Sequence, residues 1–351
     1  MAQFHKLTIK EVHKETDKCV TISFDVPSDL KDAFSFKAGQ YLTLKTTLNG
    51  KEVRRDYSIC VAPNTNELKV AVKEVAGGAF SHFANNTLKA GDTLEVATPN
   101  GRFTFEADNS KSRTVAAFAA GSGITPIIGI AKTILKDEPN SKFVLAYGNK
   151  TPLDTIFLDE LKALENEFNG RLVIQWVFSQ AQADNALFGR IDKSAVNYTL
   201  KHHCQNGAPD AFYLCGPEEM IHTATDALKE NGIDENKIFF ELFTAGTPAE
   251  PVAVEAGNGN AKVKVIVDDE EFEFEMSQKQ SILDAALKED IDVPYSCQGG
   301  ICSSCIARLT EGEAIMRQNS ILTDSELAEG LVLTCQAHPT TPTIVVDYDD
   351  V

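Results

Sequence analysis

The sequence predicts a multidomain chain. An antiparallel β-barrel is expected over residues 1–108, a doubly wound α/β domain over 109–245, a linker over 246–260, and a small α+β domain over 261–351. Three observations predict this order. Short alternating strands in the first part are punctuated by Asn49-Gly50 and Pro99-Asn100-Gly101 turns. The middle alternates apolar, strand-like runs with helical periods. The last part carries Cys297, Cys302 and Cys305 as C-x4-C-x2-C, with Cys335 after a gap of 29 residues.

In the first part, the runs Tyr41–Leu48 and Val53–Val61 flank Asn49-Gly50, a strong type I′ hairpin signal. Leu94–Ala97 and Phe103–Phe105 flank the Pro-Asn-Gly turn and are expected as strands. Several short strands at this spacing suit a small barrel. In the middle, Val115–Ala120, Phe143–Tyr147, Leu172–Phe178 and Ala211–Cys215 read as buried strands. Pro126–Lys136, Thr155–Phe168 and Pro217–Asn231 read as helices, a βαβ rhythm that implies a parallel sheet covered on both faces. The Pro-, Gly- and Ala-rich stretch after residue 244 has no periodic apolar face and reads as linker. Beyond it, Val263–Val267 and Glu271–Met276 read as paired strands, and Ser281–Lys288 as a helix before the cysteine loop.

At 351 residues, 43% hydrophobic and 24% charged, the chain has the composition of two or three soluble domains. Its first residues contain no apolar h-region, so a cytoplasmic location is expected. Thr114–Leu135 is apolar enough to resemble a membrane span, but Gly121, Ser122, Gly123 and Pro126 interrupt it, and strand–loop–helix fits better. The formal charge of −18 argues against a nucleic-acid partner. From residue 261 to 351 there are 18 Asp/Glu against 6 Lys/Arg, a net of −12. So acidic a domain suits steering toward a basic patch on a partner protein, although solubility accounts for the same charge. The eight cysteines are not expected to form a disulfide framework. Cys19 and Cys204 read as small buried hydrophobes, and His82, His202 and His203 as ordinary surface or core residues.

The cysteine spacing matches that by which plant-type ferredoxins hold a 2Fe–2S cluster with four thiolates. Glycines and serines between Ser296 and Cys305 let the backbone wrap closely and aim N–H groups at sulfur. A tetrahedral zinc site and four free thiols are the competing readings, but structural zinc is usually held by two close cysteine pairs. A 2Fe–2S cluster moves one electron at a time, so the rest of the chain should supply electrons.

Three further sets of residues carry a resemblance. Arg55-Asp56-Tyr57-Ser58 is followed by Lys73, Gly77-Gly78 and Ser81, then by Pro99-Asn100-Gly101-Arg102-Phe103. Gly121-Ser122-Gly123-Ile124-Thr125-Pro126 follows a strand, with Thr125 expected as N-cap and Pro126 as first helical residue. Cys215-Gly216-Pro217-Glu218-Glu219-Met220 closes another strand. As a set, R-x-Y-S, G-G-x-x-S, P-x-G-x-F and C-G-P-x-x-M resemble the ferredoxin–NADP⁺ reductase superfamily. The resemblance implies that Arg55 binds the flavin pyrophosphate, Tyr57 stacks on the isoalloxazine and Ser58 lies near its N5. Lys73, Gly77, Gly78 and Ser81 would complete the flavin site, the last two opening a helix whose N-terminus meets phosphate. Gly121, Gly123, Thr125 and Pro126 would face a dinucleotide pyrophosphate. Cys215, Gly216, Pro217 and Met220 would place nicotinamide beside the flavin, with Glu241 close to the ring. Tyr57, Ser58, Cys215 and Glu241 are thus the catalytic candidates.

Within the superfamily the chain resembles the reductase components of phenylacetyl-CoA epoxygenases. The shared details are Tyr57-Ser58-Ile59-Cys60, the loop from Gly77-Gly78 to Ser81, Tyr147-Gly148-Asn149, Gly189-Arg190-Ile191 and Leu333-Thr334-Cys335-Gln336. This implies a Greek-key barrel binding FAD, an α/β domain binding NAD(P)H, and a β-grasp ferredoxin-like domain carrying the cluster. Hydride would pass to FAD, and single electrons would leave through the cluster to an oxygenase docked at the acidic domain. Reductases of steroid or aromatic hydroxylases and of desaturases share the layout, and a redox sensor or carrier is the remaining alternative. Asn149, Lys150 and Ser179 are expected at the adenosine end. Lys150 is a cation that could read a 2′-phosphate, though less well than the Arg of many relatives, and Gln180 stands where NADPH-using relatives often have Arg. With no acidic residue immediately after the strand ending near Tyr147, NADPH is expected over NADH.

Overall fold

The computed structural model describes residues 3–63, 65–204, 207–243 and 259–351. Phe4–Phe243 forms one compact unit, and the described part of 244–351 another. The expected linker lies outside the described residues except for Gly259 and Asn260, and Asn260 already opens a strand.

The first unit begins with β1 (Phe4–Thr16), β2 (Cys19–Asp25), β3 (Tyr41–Leu48), β4 (Lys51–Ser58), β5 (Leu68–Lys73), α1 (Ala79–Asn86) and β6 (Thr93–Ala97). These strands form an antiparallel sheet in the order β4-β3-β6-β1-β2-β5. The sheet closes on itself just past β4, where Ile59 bridges Val70 and the Cys60 N–H donates to the Lys69 carbonyl at 3.0 Å. Asn49 and Gly50 take φ of 53° and 75°, the left-handed pair a type I′ turn requires. Leu7, Ile22, Leu42, Val70 and Val96 fill the interior, and α1 covers one end with Phe80 and Ala84.

The second half of this unit runs β7 (Thr114–Ala120), α2 (Ile124–Asp137), β8 (Lys142–Asn149), α3 (Leu158–Glu167), β9 (Leu172–Phe178), β10 (Ala186–Phe188), α4 (Lys193–His203), β11 (Ala211–Gly216), α5 (Glu218–Glu230) and β12 (Ile238–Leu242). The sheet is parallel, in the order β10-β9-β8-β7-β11-β12. The chain therefore reverses its direction of growth between β7 and β11, the crevice where open α/β sheets bind ligands.

The apolar window 114–135 has a physical explanation in this packing. Helix α2 is buried almost all round, because its residues share one core with strand β7 and with Cys19, Cys60 and Ala71 of the barrel wall. A Cβ on Gly129 would stand 3.1 Å from the carbonyls of both Ile59 and Val61, so the helix approaches the barrel backbone closely. Among the described residues, no helix is long and apolar enough to cross a membrane.

Phe103–Phe105 is not a strand. Only Phe105 makes a bridge, to Ala38, and both rings leave the barrel to meet Tyr213 of β11 edge-on at 5.2 and 6.3 Å. The Tyr213 hydroxyl donates to the Thr104 carbonyl at 3.0 Å, so this segment fastens barrel to sheet. Cys19 is fully buried as expected, whereas Cys204 is only half-buried.

The second unit contains β13 (Asn260–Val267), β14 (Glu270–Ser277), α6 (Ile282–Lys288), β15 (Ile306–Glu311), β16 (Ala314–Met316), α7 (Asp324–Ala328), β17 (Leu331–Leu333), β18 (Ala337–Pro339) and β19 (Thr343–Asp347). A mixed sheet in the order β14-β13-β19-β15-β17 packs against the buried face of α6, with β16 and β18 as a separate ribbon. Asp268 and Asp269, both at positive φ, make the two-residue turn of the first hairpin. Ser281 caps α6 by accepting the Asp284 N–H at 3.1 Å.

Candidate active site and cluster loop

The residues of the flavin-like motifs gather at one end of the barrel. The Tyr57 ring, half-buried at the end of β4, packs against Phe80 of α1 with 5.4 Å between centroids. That contact joins the R-x-Y-S strand to the G-G-x-x-S helix. Gly78 is the N-cap of α1. The Ser81 hydroxyl accepts the Val75 N–H at 3.2 Å and donates to the Gly78 carbonyl at 3.1 Å, so it shapes the loop from within. The helix N-terminus opens on a groove of about 550 Å³ lined by Lys18, Glu74, Gly77, Gly78 and His82. An amide-rich helix start beside a lysine favours an anionic group. Lys18, on the β1–β2 turn, carried no motif signal. Arg55 is exposed, with its Nη1 donating to the Arg54 carbonyl at 2.6 Å. His82 is also exposed and lies 2.7 Å from Glu74.

At the switch point the two halves meet. The buried Ser58 hydroxyl lies 3.5 Å from Glu241 Oε2, and Glu241 of β12 is the register partner of Cys215 of β11. Burial, then the nearby Asp56 carboxylate, push the Glu241 carboxyl up to about 8, against a lowering contribution from Ser58. Burial holds the Cys215 thiol far above its ordinary range, so it is a neutral group here. A Cβ on Gly123 would stand 2.0 Å from the Cys215 carbonyl oxygen, so only glycine permits this approach. Gly121 has φ 55°, and a Cβ there would be 3.3 Å from Lys73 Nζ of the barrel. The Tyr147 hydroxyl donates to the Gly121 carbonyl at 2.9 Å. Met220, one turn into α5, folds back toward Gly216, and Pro217 is the helix N-cap.

The start of α2 differs from expectation. Gly121–Gly123 forms a 3-10 turn, Gly123 is the N-cap, and Thr125 lies inside the helix with its hydroxyl donating to the Ser122 carbonyl at 3.0 Å. Pro126 is the third helical residue, where its missing N–H still costs nothing. Both side chains are buried. At the far end of the sheet, the Ser179 N–H donates to the Asn149 carbonyl at 3.0 Å and Gln180 to Lys150 at 2.8 Å. The predicted adenosine-end residues thus lie side by side, with Lys150 exposed.

In the second unit the four thiols form two pairs. Cys302 Sγ lies 3.0 Å from Cys297 Sγ, and the Cys305 thiol is hydrogen-bonded to Cys335. Gln298 and Gly300 take φ of 53° and 73°, which turns the loop and brings the Gly299 N–H to 3.3 Å from Cys297 Sγ. The Cys302 thiol, helped by N–H groups of Gly299, Ile301 and Cys302, lowers Cys297 to about 6 despite its burial. Likewise the Cys305 thiol lowers Cys335 while itself rising. Cys297 is thus poised as a thiolate, the form that binds iron, and Cys335 is shifted in the same direction. Two pairs suit two irons with two thiolates each. Among the described residues, no three His, Cys, Asp or Glu side chains converge as a single ion would need.

Comparison with known proteins agrees with this arrangement. Residues 6–105 match the oxidoreductase FAD-binding domain, 118–226 the oxidoreductase NAD-binding domain, and 265–340 the 2Fe–2S iron-sulfur cluster binding domain. The chain is 40% identical to a subunit of 1,2-phenylacetyl-CoA epoxidase from Escherichia coli, over 99% of both chains. It is 34% identical to the ferredoxin reductase component of 3-ketosteroid-9-alpha-monooxygenase from Rhodococcus rhodochrous, over 97% of this chain and 96% of that one. Among solved structures, phthalate dioxygenase reductase has the same fold, with a TM-score of 0.61 at 24% identity over 98% of each chain. With FAD-binding, NAD-binding and 2Fe–2S domains in one polypeptide, the chain belongs to the family of ferredoxin-reductase-type oxidoreductases to which its phenylacetyl-CoA epoxidase relative also belongs.

Proposed function

We propose that this protein takes electrons from NADPH and delivers them singly to the oxygenase component of a phenylacetyl-CoA epoxidase. One observation carries the reading. The line Tyr57–Ser58–Glu241–Cys215–Gly123 joins the flavin motif to the nicotinamide crevice within one compact unit. The 40% identity to the Escherichia coli epoxidase component supports the choice of acceptor. We assign residues 1–108 to flavin binding, 109–245 to NAD(P)H and 261–351 to the cluster.

When bound, FAD accepts hydride from the nicotinamide, and the 2Fe–2S cluster carries single electrons onward. The chain's own residues bind and orient. Arg55, with Lys73, Gly77, Gly78, Ser81 and the amides of α1, holds the flavin phosphates. Tyr57, braced by Phe80, offers a flat face to the flavin ring. Ser58 lies at the reacting edge, and Glu241, with its raised pKa, keeps a proton on its carboxyl beside the Ser58 hydroxyl. The Gly121 and Gly123 backbone at the start of α2 receives the dinucleotide pyrophosphate. The carbonyl and thiol of Cys215, with Gly216, Pro217 and Met220, wall the nicotinamide place. Asn149, Lys150 and Ser179 hold the adenosine end, where Lys150 reads the 2′-phosphate. Cys297 and Cys302 hold one iron, and Cys305 and Cys335 the other.

The net charge of −12 over 261–351 directs the cluster domain to a basic patch on the oxygenase. Glu271, Glu273 and Glu275 alternate outward along the edge strand β14 and contribute to that field. None of the eight cysteines is in a disulfide, which fits a reducing, cytoplasmic compartment. Reconstitution with the oxygenase component and phenylacetyl-CoA tests the reading. NADPH oxidation should be coupled to epoxide formation, and should be weaker with NADH. Coupling only to a steroid or aromatic oxygenase would refute the acceptor.

A further inference from the structure

The segment after the fourth cysteine is held more firmly than ligation alone requires. The backbone of Gln336 is fixed at both ends. Its N–H donates to the Leu333 carbonyl at 2.8 Å, and its carbonyl accepts the Arg317 N–H at 3.0 Å. Its side chain then crosses the cysteine loop. The amide Nε2 donates to the Gln298 carbonyl at 3.0 Å and also faces Cys335 Sγ at 3.8 Å. The stem lies over Gly300, where an added Cβ would be 3.1 Å from Gln336 Cγ. The accepting residue, Gln298, is the non-glycine at φ 53° that turns the loop between Cys297 and Cys302. One amide therefore links the outer ligand loop to the sulfur of the isolated fourth ligand.

We propose that Gln336 is a positioning residue that sets the reduction potential of the cluster. This rests on the assignment of the four cysteines above. Its amide clamps the left-handed turn at Gln298 and donates an N–H to the Cys335 sulfur. Such a donor stabilises the more negative, reduced cluster, so its loss makes reduction harder. Leu fills similar space without a donor. Glu has the same shape but turns an oxygen toward both a carbonyl and a thiolate. Asn is one methylene too short to reach Gln298 from the same backbone.

The test uses full-length holoprotein. Cluster content is read from iron and sulfide analysis, and the potential from a redox titration followed by electron paramagnetic resonance. Gln336→Leu should retain its cluster while shifting the one-electron equilibrium about tenfold against reduction, which is about 59 mV more negative. Gln336→Glu should shift it further in the same direction. Reduction of the flavin by NADPH should be unchanged in both. Wild-type potentials in both variants overturn the proposal, because a residue that only holds the loop would leave the potential unmoved. If Gln336→Leu loses its cluster, Gln336→Met decides alone, since it keeps the chain length with neither donor nor charge and should show the same negative shift, a wild-type potential overturning the proposal. A wild-type protein without a 2Fe–2S signal would instead refute the cysteine assignment.

Discussion

Replacing Gly123 by Ala places a methyl group where the structure has no room for one. Its Cβ would stand 2.0 Å from the Cys215 carbonyl oxygen, 2.4 Å from the carbonyl carbon and 2.8 Å from the Gly216 nitrogen. Every one of these neighbours is backbone, so no side chain can swing aside. Restoring even a tight 3.0 Å contact requires the start of α2 and the end of β11 to part by about 1 Å. Those two backbones wall the proposed nicotinamide place. A misplacement of about 1 Å costs roughly a hundredfold in rate, or about 2.7 kcal/mol at the barrier. Overpacking should also cost about 1–3 kcal/mol of stability. Stopped-flow bleaching of the flavin by NADPH measures the first effect, and thermal unfolding the second. The Gly123→Ala protein should bleach about a hundredfold more slowly while keeping its cluster signal. A wild-type bleaching rate would refute the claim that this contact sets the geometry for hydride transfer.

Three other changes address separate parts of the account. Arg55→Ala removes the proposed phosphate contact and should weaken FAD retention about 10–100-fold, from the loss of charge-assisted hydrogen bonds; unchanged flavin release during dialysis would contradict the role. Glu241 has a folded-state pKa of about 8, above its ordinary 4.5. Its contribution to stability, relative to Glu241→Gln, is present in full below pH 4.5 and is lost as pH rises through 8. The wild type should therefore fall behind the Gln variant across that window, by up to about 1.4 kcal/mol per pH unit, and parallel denaturation curves would contradict the burial of this carboxyl. Glu138 is fully buried and accepts from Arg113 Nε at 3.1 Å, the Asp108 N–H at 2.9 Å and the Ser141 hydroxyl at 2.7 Å. Glu138→Ala should cost about 3 kcal/mol in denaturant unfolding of the flavin and nicotinamide unit, and a wild-type midpoint would contradict it.

The features legible in the sequence were those written in local chemistry. Asn49-Gly50 specifies its turn because both residues tolerate positive φ, and the buried strands of the parallel sheet announce themselves as apolar runs. The cysteine spacing is legible because ligand chemistry constrains position along the chain. Features that depend on distant partners were hidden. Phe103 and Phe105 alternate like a strand, but they do so to reach Tyr213, more than a hundred residues away. Thr125 has the composition of an N-cap, yet the 3-10 turn at Gly121–Gly123 starts the helix earlier and draws Thr125 inside. The second glycine of that motif carries a further constraint that the sequence does not display, a backbone-to-backbone approach to Cys215. Nothing local to Lys73 reveals that its ammonium lies beside Gly121, or local to Lys18 that it lines the groove at α1.

The central claim is that one chain accepts a hydride at its flavin and releases single electrons through Cys297, Cys302, Cys305 and Cys335. The most direct measurement is anaerobic rapid mixing with NADPH, followed by absorbance and electron paramagnetic resonance, in the wild type and Cys335→Ser. The wild type should bleach its flavin and then develop a reduced-cluster signal, with concurrent reduction of cytochrome c. Cys335→Ser should bleach its flavin at the wild-type rate, give no cluster signal and leave cytochrome c oxidised. Undiminished cytochrome c reduction in Cys335→Ser, or a wild type that never shows the cluster signal, would contradict the account.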